Sequence, residues 1–303
     1  MSRDVVTVGT FDGVHRGHWA VLEEIARRAA ASGGRSVLVT FEPHPLEVVN
    51  PEAAPRLLTL DDEKRAVLAQ SAVDHVAFFT FTHALSLLSP EQFVRDVLEK
   101  RFDLGELVIG HDHGFGRGRS GDVDLLRKIG REDAFAVDVV PAVMLEGRPV
   151  SSTLIRRAVA GGDLETARRG LGRWYSATAP VVRGAGRGRG IGVPTANLAP
   201  LSPKKLLPPD GVYAVRVSFE GERRGAMLNL GTQPTFGDAT RRLEAHLFEF
   251  DGDLLGRTVT VEFLRRLRDT VRFGSVDELK GQLARDRADA QRALTELGEA
   301  TTL

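Results

Sequence analysis

In the first half of the chain, short apolar runs alternate with longer stretches in which apolar residues recur every three or four positions. VVTVGTF (5–11), SVLVTF (36–41), VAFFTF (76–81), ELVIG (106–110) and FAVDVV (135–140) read as strands. HWAVLEEIARRAAAS (18–32) reads as a helix, and 61–70, 90–101 and 122–131 have helical spacing. Continuous apolar strands separated by helices are the sequence form of a parallel sheet covered on both faces. Such α/β sheets take ligands at the C-terminal ends of their strands, often on a helix N-terminus.

Near residue 175 the pattern changes. From SATAPVVRG (176–184) onward, alternating runs are divided by Gly, Pro and Asp: GVYAVRVSF (211–219), GAMLNLG (225–231), LEAHLFEF (243–250) and TVTVEFLRRL (258–267). Period-two alternation with turns at this spacing predicts an antiparallel all-β barrel. A helix closes the chain from about Ser275 to Leu297, with Ser275 and Glu278 in a capping-box pattern and Val276, Leu279 and Leu283 as its apolar stripe. The expected domains are 1–172 and 178–303.

A chain of 303 residues with 42% hydrophobic and 27% charged residues and a mean hydropathy of −0.14 is that of a soluble globular protein. No apolar run approaches a membrane span, and the first residues lack a signal-peptide pattern. With no cysteine, disulfides, thiolate metal sites and cysteine nucleophiles are excluded, and a cytoplasmic location is expected. Forty-one basic and 41 acidic residues cancel, so no global field attracts nucleic acid or an anionic membrane. Locally the balance tips: from Arg156 to Arg189 there are eight arginines against Asp163 and Glu165.

The densest chemistry lies in GTFDGVHRGH (9–18). A strand runs into a glycine-bearing turn and then a helix; Gly9, Gly13 and Gly17 let backbone approach a ligand, and free N–H groups at the helix start favour anions. His15 and His18 lie three apart, placed to hydrogen-bond phosphate oxygens and balance charge on a transferring group. A metal site would need further ligands, and none follows within the motif. Asp12 is as well suited to holding the turn.

This stretch resembles the His-x-x-His signature of the nucleotidyltransferase superfamily, and in its full form the flavin branch, the prokaryotic bifunctional riboflavin kinase/FAD synthetase family. TFEPHP (40–45) follows the second strand where that family has a flavin-side loop, which would place Pro43, His44 and Pro45 against flavin. VSSTLIRRAVAGGD (150–163) looks like its Ser-Ser-Thr-x-x-Arg element. There Ser151 or Ser152 caps a helix, Thr153 and the helix N–H groups face phosphate, and Arg156 offers a charged fork for pyrophosphate. In IGHDHGFGRGRSGD (109–122), Asp112 takes a family-like flavin position, but His113 replaces the usual aromatic residue. His111, Asp112 and His113 invite a metal reading, although adjacent side chains on an extended loop point in opposite directions.

GRGRGIGVPTANL (186–198) supplies a second site. Its glycines Gly186, Gly188 and Gly190, with Arg187 and Arg189, suit a phosphate-wrapping loop. Thr195 and Asn197 are two apart, so on an extended segment their side chains face one way, an arrangement that suits Mg²⁺ carried by a nucleotide. GIGVPTAN resembles the Pro-Thr-Ala-Asn signature of riboflavin kinase, with Val193 where Phe is frequent. RRLEAHLFEFDGDLLG (241–256) resembles the segment supplying a glutamate base, which falls on Glu244; Glu249 is the competitor, expected on the opposite strand face, and Leu255 replaces a usual Tyr. GAMLNLGTQPTFG (225–237) and LRDTVRF (267–273) extend the likeness over nearly the whole chain.

The resemblance implies a Rossmann-like nucleotidyltransferase domain followed by a six-stranded antiparallel β-barrel kinase with a terminal helix. It further implies ATP-dependent phosphorylation of riboflavin at the barrel, then adenylyl transfer to FMN at His15, His18, Phe11 and the 152–156 helix start, with Mg²⁺ arriving with ATP. Riboflavin, FMN and ATP are the expected partners, with no nucleic acid or membrane, and the oligomeric state is open. Two other readings stand beside it: transfer to a different phosphorylated alcohol, and nucleic-acid binding through the 156–189 arginines.

Overall fold

The computed structural model describes residues 3–111, 122–184, 190, 192–235 and 238–298, with the side chains of 233–235 and 238–240 excepted. The chain divides into two compact units, Met1–Ser152 and Thr153–Leu303.

In the first unit, β1 (Asp4–Val8), β2 (Ser36–Glu42), β3 (His75–Thr80), β4 (Leu104–Gly110) and β5 (Ala136–Val140) form a parallel sheet in the order β3-β2-β1-β4-β5. Strand alternation sends Val6, Val8, Val37, Val39, Leu107 and Ile109 into one buried cluster and Val5, Leu38 and Val108 into another. Both faces are therefore covered. Leu22, Ile25 and Ala29 of α1 (Arg16–Ser32) join the second cluster. The short helices α2 (Pro45–Val49), α3 (Asp61–Leu68), α4 (His83–Ser86) and α5 (Pro90–Gln92) follow in order. The chain continues from α5 as a π-helix over Phe93–Glu99, and Phe93, Val94 and Leu98 join the first cluster together with Leu126 and Ile129 of α6 (Val123–Asp133). A hairpin of β6 (Met144–Leu145) and β7 (Arg148–Pro149) ends the unit. Since the neighbours of β1 lead away in opposite directions, the C-terminal ends of β1 and β4 flank a topological switch point, where open α/β sheets bind ligands.

Arg28 pins α1 to the sheet. Its guanidinium reaches Glu24 on its own helix at 2.6 Å, Glu106 on β4 and Asp138 on β5. Hydrogen bonds from Arg27 and Arg28 hold the Glu24 carboxyl down at about 2.

The helix α7 (Ser152–Gly161) starts on the last residue of the first unit, and α8 (Leu164–Leu171) packs on strands of the second. The six strands β8 (Tyr175–Val182), β9 (Ala196–Leu198), β10 (Gly211–Phe219), β11 (Glu222–Thr235), β12 (Asp238–Leu247) and β13 (Thr258–Arg268) close into an antiparallel barrel ordered β10-β11-β12-β9-β8-β13. Because β8 starts at Tyr175, the boundary drawn at 178 falls inside a barrel strand.

The last helix, α9 (Val276–Glu296), keeps only part of its expected stripe against the core. Val276 is exposed, but Leu283 packs against the cluster of Ala290, Ala293 and Leu294, and these three are buried together with Asp286. Asp286 accepts bonds from Arg268 at 2.8 and 2.6 Å and from Gln282 at 2.8 Å, so a polar residue occupies a core position by being fully partnered. Ser275 does cap the helix through the Glu278 N–H at 3.2 Å, but the Glu278 carboxylate returns to the Gly274 N–H. No described helix is long and apolar enough to cross a membrane.

Candidate functional site

The first candidate site grows from the end of β1. The run expected as strand to residue 11 stops at Val8, because Phe11, Gly13 and Val14 take φ of +50°, +80° and +38°. Asp12 makes this turn hold. Its carboxylate, 4% exposed, accepts the N–H groups of Leu58 at 3.0 and 3.1 Å and of Thr59 at 3.1 Å. Gly13 N–H donates to Thr59 Oγ1 at 3.0 Å, and the Ser152 hydroxyl donates to the Asp12 carbonyl at 2.9 Å. Of the two roles the sequence left open for Asp12, the turn is the one it fills. The segment 57–59 that receives it carries no signature of its own.

The helix α1 opens two residues earlier than the pattern predicted, because the histidines cap it. His15 Nδ1 accepts from the His18 N–H and His18 Nδ1 from the His15 N–H, both at 3.3 Å. Their rings stack with centroids 3.6 Å apart, and Phe11 stacks on His18 at 4.5 Å. With each Nδ1 accepting, the neutral rings carry their proton on Nε2 and present a donor at the far edge. His15 is buried and His18 half-buried. The first turn of α1 holds no acidic side chain, which leaves this N-terminus favourable to anions. The glycines are explained locally: a Cβ at Gly9 would lie 2.9 Å from the Phe11 ring, and one at Gly13 2.6 Å from Leu58. They let the motif's own side chains pack, which refines the expectation of close approach to ligand. Among the described residues no group of three His, Asp or Glu side chains is placed to hold a metal ion.

Four of the other expected positions, Pro43, His44, Pro45 and His111, fall in the same unit as this turn. Pro43, His44 and Pro45 follow the end of β2, where His44 caps α2 through the Leu46 N–H at 3.2 Å and Glu47 answers to the His44 N–H at 3.3 Å. Beneath them Lys64 is buried and donates to the Phe41 carbonyl at 2.9 Å, with Glu42 3.6 Å away. Burial pushes its ammonium below the ordinary lysine range, opposed by Glu42. Sequence reading missed this lysine, which looks like any surface residue of an acidic helix. Thr153 is exposed and Arg156 half-buried on the first turns of α7. His111 follows β4 directly; Asp112 and His113 lie outside the described residues.

The second candidate site is on the barrel. Register brings the two separately read segments together, since Asn197 on β9 pairs directly with Glu244 on β12, which also pairs with Asn229 on β11. Leu243 and Ala245 are buried while Glu244 is half-exposed, so the carboxylate faces away from the apolar side. Asn197 Nδ2 donates to Thr195 O at 3.3 Å and Thr195 Oγ1 at 3.4 Å, which ties the two into one turn. A Cβ at Gly184 would overlap the Asn197 amide, so that glycine makes room for it. Hydroxyl, amide and carboxylate oxygens are hard donors, and this set fits a Mg²⁺ ion that takes its remaining ligands from phosphate and water. Glu249, expected on the opposite strand face, lies beyond β12 in a turn with φ of +51°. Leu255 is exposed and Gly190 has open space about it. Gly186, Arg187, Gly188 and Arg189 lie outside the described residues. A contact absent from the sequence reading is His246, whose Nδ1 lies 2.7 Å from the Pro194 carbonyl.

Residues 1–154 match the family described as FAD synthetase, and residues 171–294 match riboflavin kinase. The bifunctional riboflavin kinase/FMN adenylyltransferase of Pseudomonas fluorescens is 40% identical over 291 residues, spanning 96% of this chain and 92% of its own. That of Escherichia coli K12 is 38% identical over 288 residues, spanning 95% and 91%. A crystal structure described as a macrolide-efflux protein from Streptococcus pneumoniae is similar with a TM-score of 0.87 and 31% identity, covering 95% of this chain and 94% of that one. Likeness of this extent runs through the parallel sheet, the barrel and both sites, and the chain belongs to the bifunctional riboflavin kinase/FMN adenylyltransferase family.

Proposed function

We propose that the barrel unit phosphorylates riboflavin with ATP to give FMN, and that the parallel-sheet unit then transfers AMP from a second ATP to FMN, releasing pyrophosphate and FAD. The observation that carries the kinase reading is the Asn197–Glu244 register pair, which unites residues 47 positions apart around the Thr195 turn. Glu244 accepts the proton of the attacking ribityl hydroxyl, while Thr195 and Asn197 hold the metal. Mg²⁺, when bound there, neutralises charge on the transferring phosphoryl group. Gly186, Gly188, Arg189 and Gly190 lie along the phosphates.

At the other site, the Nε2–H groups of His15 and His18 donate to phosphate oxygens and balance charge as pyrophosphate leaves. Phe11 holds the His18 ring in place, and Thr153 and Arg156 add phosphate contacts. No covalent enzyme intermediate is needed, since the FMN phosphate attacks the α-phosphorus directly. Catalysis rests on alignment and charge stabilisation. Pro43, His44, Pro45 and Asp112 line the flavin side. The substrates are small molecules and the reaction needs no membrane, in keeping with a cytoplasmic enzyme.

Incubating the chain with riboflavin, ATP and Mg²⁺ and separating the flavins chromatographically tests both halves. His18→Ala should lower FAD formation by about a hundredfold or more and leave FMN formation intact. Glu244→Gln should lower FMN formation by about a hundredfold or more, with added FMN still adenylylated. Joint loss of both activities in either variant would sink the two-site assignment.

A further inference from the structure

The three-residue strand β9 meets β12 only at Asn197↔Glu244 and Ala196↔Ala245. One step further, the antiparallel register would set Thr195 against His246 and Pro194 beyond it. Proline has no N–H to give, so the ladder cannot run on through residue 194. The turn that presents Thr195 therefore lies where strand pairing no longer fixes it. At that point the His246 ring takes over. Its Nδ1 lies 2.7 Å from the Pro194 carbonyl, and since a carbonyl only accepts, Nδ1 carries the proton and donates.

The ring is 8% exposed and stands edge-on to Phe248, centroids 6.0 Å apart and planes at 75°. Phe248 belongs to the cluster that also holds Ala290, Ala293 and Leu294 of α9, and Val193 packs against the same cluster. An imidazole among such neighbours is unfavourable unless hydrogen-bonded, and a packing role alone would be better filled by an apolar side chain. Alternation places His246 on the same face of β12 as Glu244, two residues away. A single strand thus carries the carboxylate and the donor that holds the turn opposite it.

We infer that His246 is a positioning residue of the kinase site, whose Nδ1–H clamps the Pro194 carbonyl and so holds Thr195 and Asn197 in the geometry that binds the metal–nucleotide. This rests on the assignment of Thr195 and Asn197 as metal-holding residues. The clamp touches neither substrate nor reacting atoms. Its loss should weaken metal–nucleotide binding more than the rate reached once the site is filled.

The test uses the full-length chain and follows Mn²⁺ binding in the presence of ADP by electron paramagnetic resonance. The portion of binding removed by Asn197→Ala defines the barrel site. His246→Leu should weaken that portion about tenfold and raise the Mg²⁺ needed for half-maximal FMN formation about as much. The kcat at saturating Mg²⁺ and the adenylylation of added FMN should stay near the parent values. His246→Asn, whose amide donor sits where Nδ1 does, should recover most of the binding; His246→Gln, with its donor one bond further out, should not. Parent-like binding in His246→Leu overturns the inference, as does an Asn variant no better than the Gln variant, a comparison that also decides should the Leu variant fail to fold. If His246→Leu is parent-like while Asn197→Ala loses the site, the metal assignment stands and the clamp alone falls; if Asn197→Ala changes nothing, the metal assignment falls and the inference with it.

Discussion

At the scale of single residues, the two histidines of the first motif each do two things. Their Nδ1 atoms close the end of α1 on each other's backbone, and this same act leaves Nε2–H as the outward group. A zinc ligand could still use Nε2, but only after moving its proton to the nitrogen that caps the helix. Donation to phosphate requires no such change. Asp12 decides whether this geometry exists at all. In Asp12→Asn an amide N–H would face the Leu58 N–H, leaving buried donors unsatisfied in a turn already at positive φ. The first unit should lose about 2 kcal/mol of stability, read by urea denaturation from Trp19 in a Trp174→Phe background. FAD formation should fall sharply with it, while FMN formation stays unchanged. Parent-like stability in Asp12→Asn would contradict the role given to the carboxylate.

At the scale of elements, helices attach to sheet and barrel through buried or half-buried ion clusters as well as apolar stripes. On α1 the cluster centres on Arg28, which spans from Glu24 to Glu106 and Asp138. The Glu24 carboxyl is held at about 2 by hydrogen bonds from Arg27 and Arg28, and that of Asp138 is lowered chiefly by its hydrogen bond from Arg28. A carboxylate depressed in the folded state adds stability above its unfolded pKa, and that stability is lost as pH falls from there toward the folded value. The first unit should therefore weaken progressively from about pH 4.5 downward. Arg28→Met should remove about 2 kcal/mol at neutral pH and make the acid slope shallower. Urea midpoints measured between pH 3 and 7 check both, and an unchanged slope in the variant would show that Arg28 does not set it. On α9 the Arg268–Asp286 pair plays the matching part: of the stripe read from Val276, Leu279 and Leu283, Leu283 reaches the inner face and Val276 does not, while the buried Asp286 carried no apolar signal.

Two compact units in one chain, each with its own core, imply activities that can be separated by cutting. Where to cut is set by β8, which begins at Tyr175. Tyr175 is buried, its hydroxyl donates to the Leu206 carbonyl at 2.5 Å, and its ring lies 6.4 Å from Phe263; Trp174 belongs to the cluster beneath α9. A fragment of residues 153–303 should fold and form FMN at a rate within about threefold of the full chain. A fragment starting at 178 lacks these residues and should be largely unfolded by circular dichroism. Equal folding of both fragments would show that the start of β8 is dispensable.

Much of this was legible in the sequence because it is written in local periods. Period two gave GVYAVRVSF (211–219) with the boundaries it has in the structure, and continuous apolar runs located all five parallel strands to within about three residues. Motif spacing also singled out His15, His18, Thr195 and Asn197, and the family resemblance added Glu244. Tertiary structure decided what depends on partners distant in the chain. It seated the Asp12 carboxylate on Leu58 and Thr59, gave Asp286 a place in the core opposite Arg268, and set Asn197 against Glu244. It also turned His246 toward Pro194, 52 positions away in the chain. Local pattern reports which face of an element is apolar. Which buried polar group finds its partner is settled only when strand order and register bring the two together.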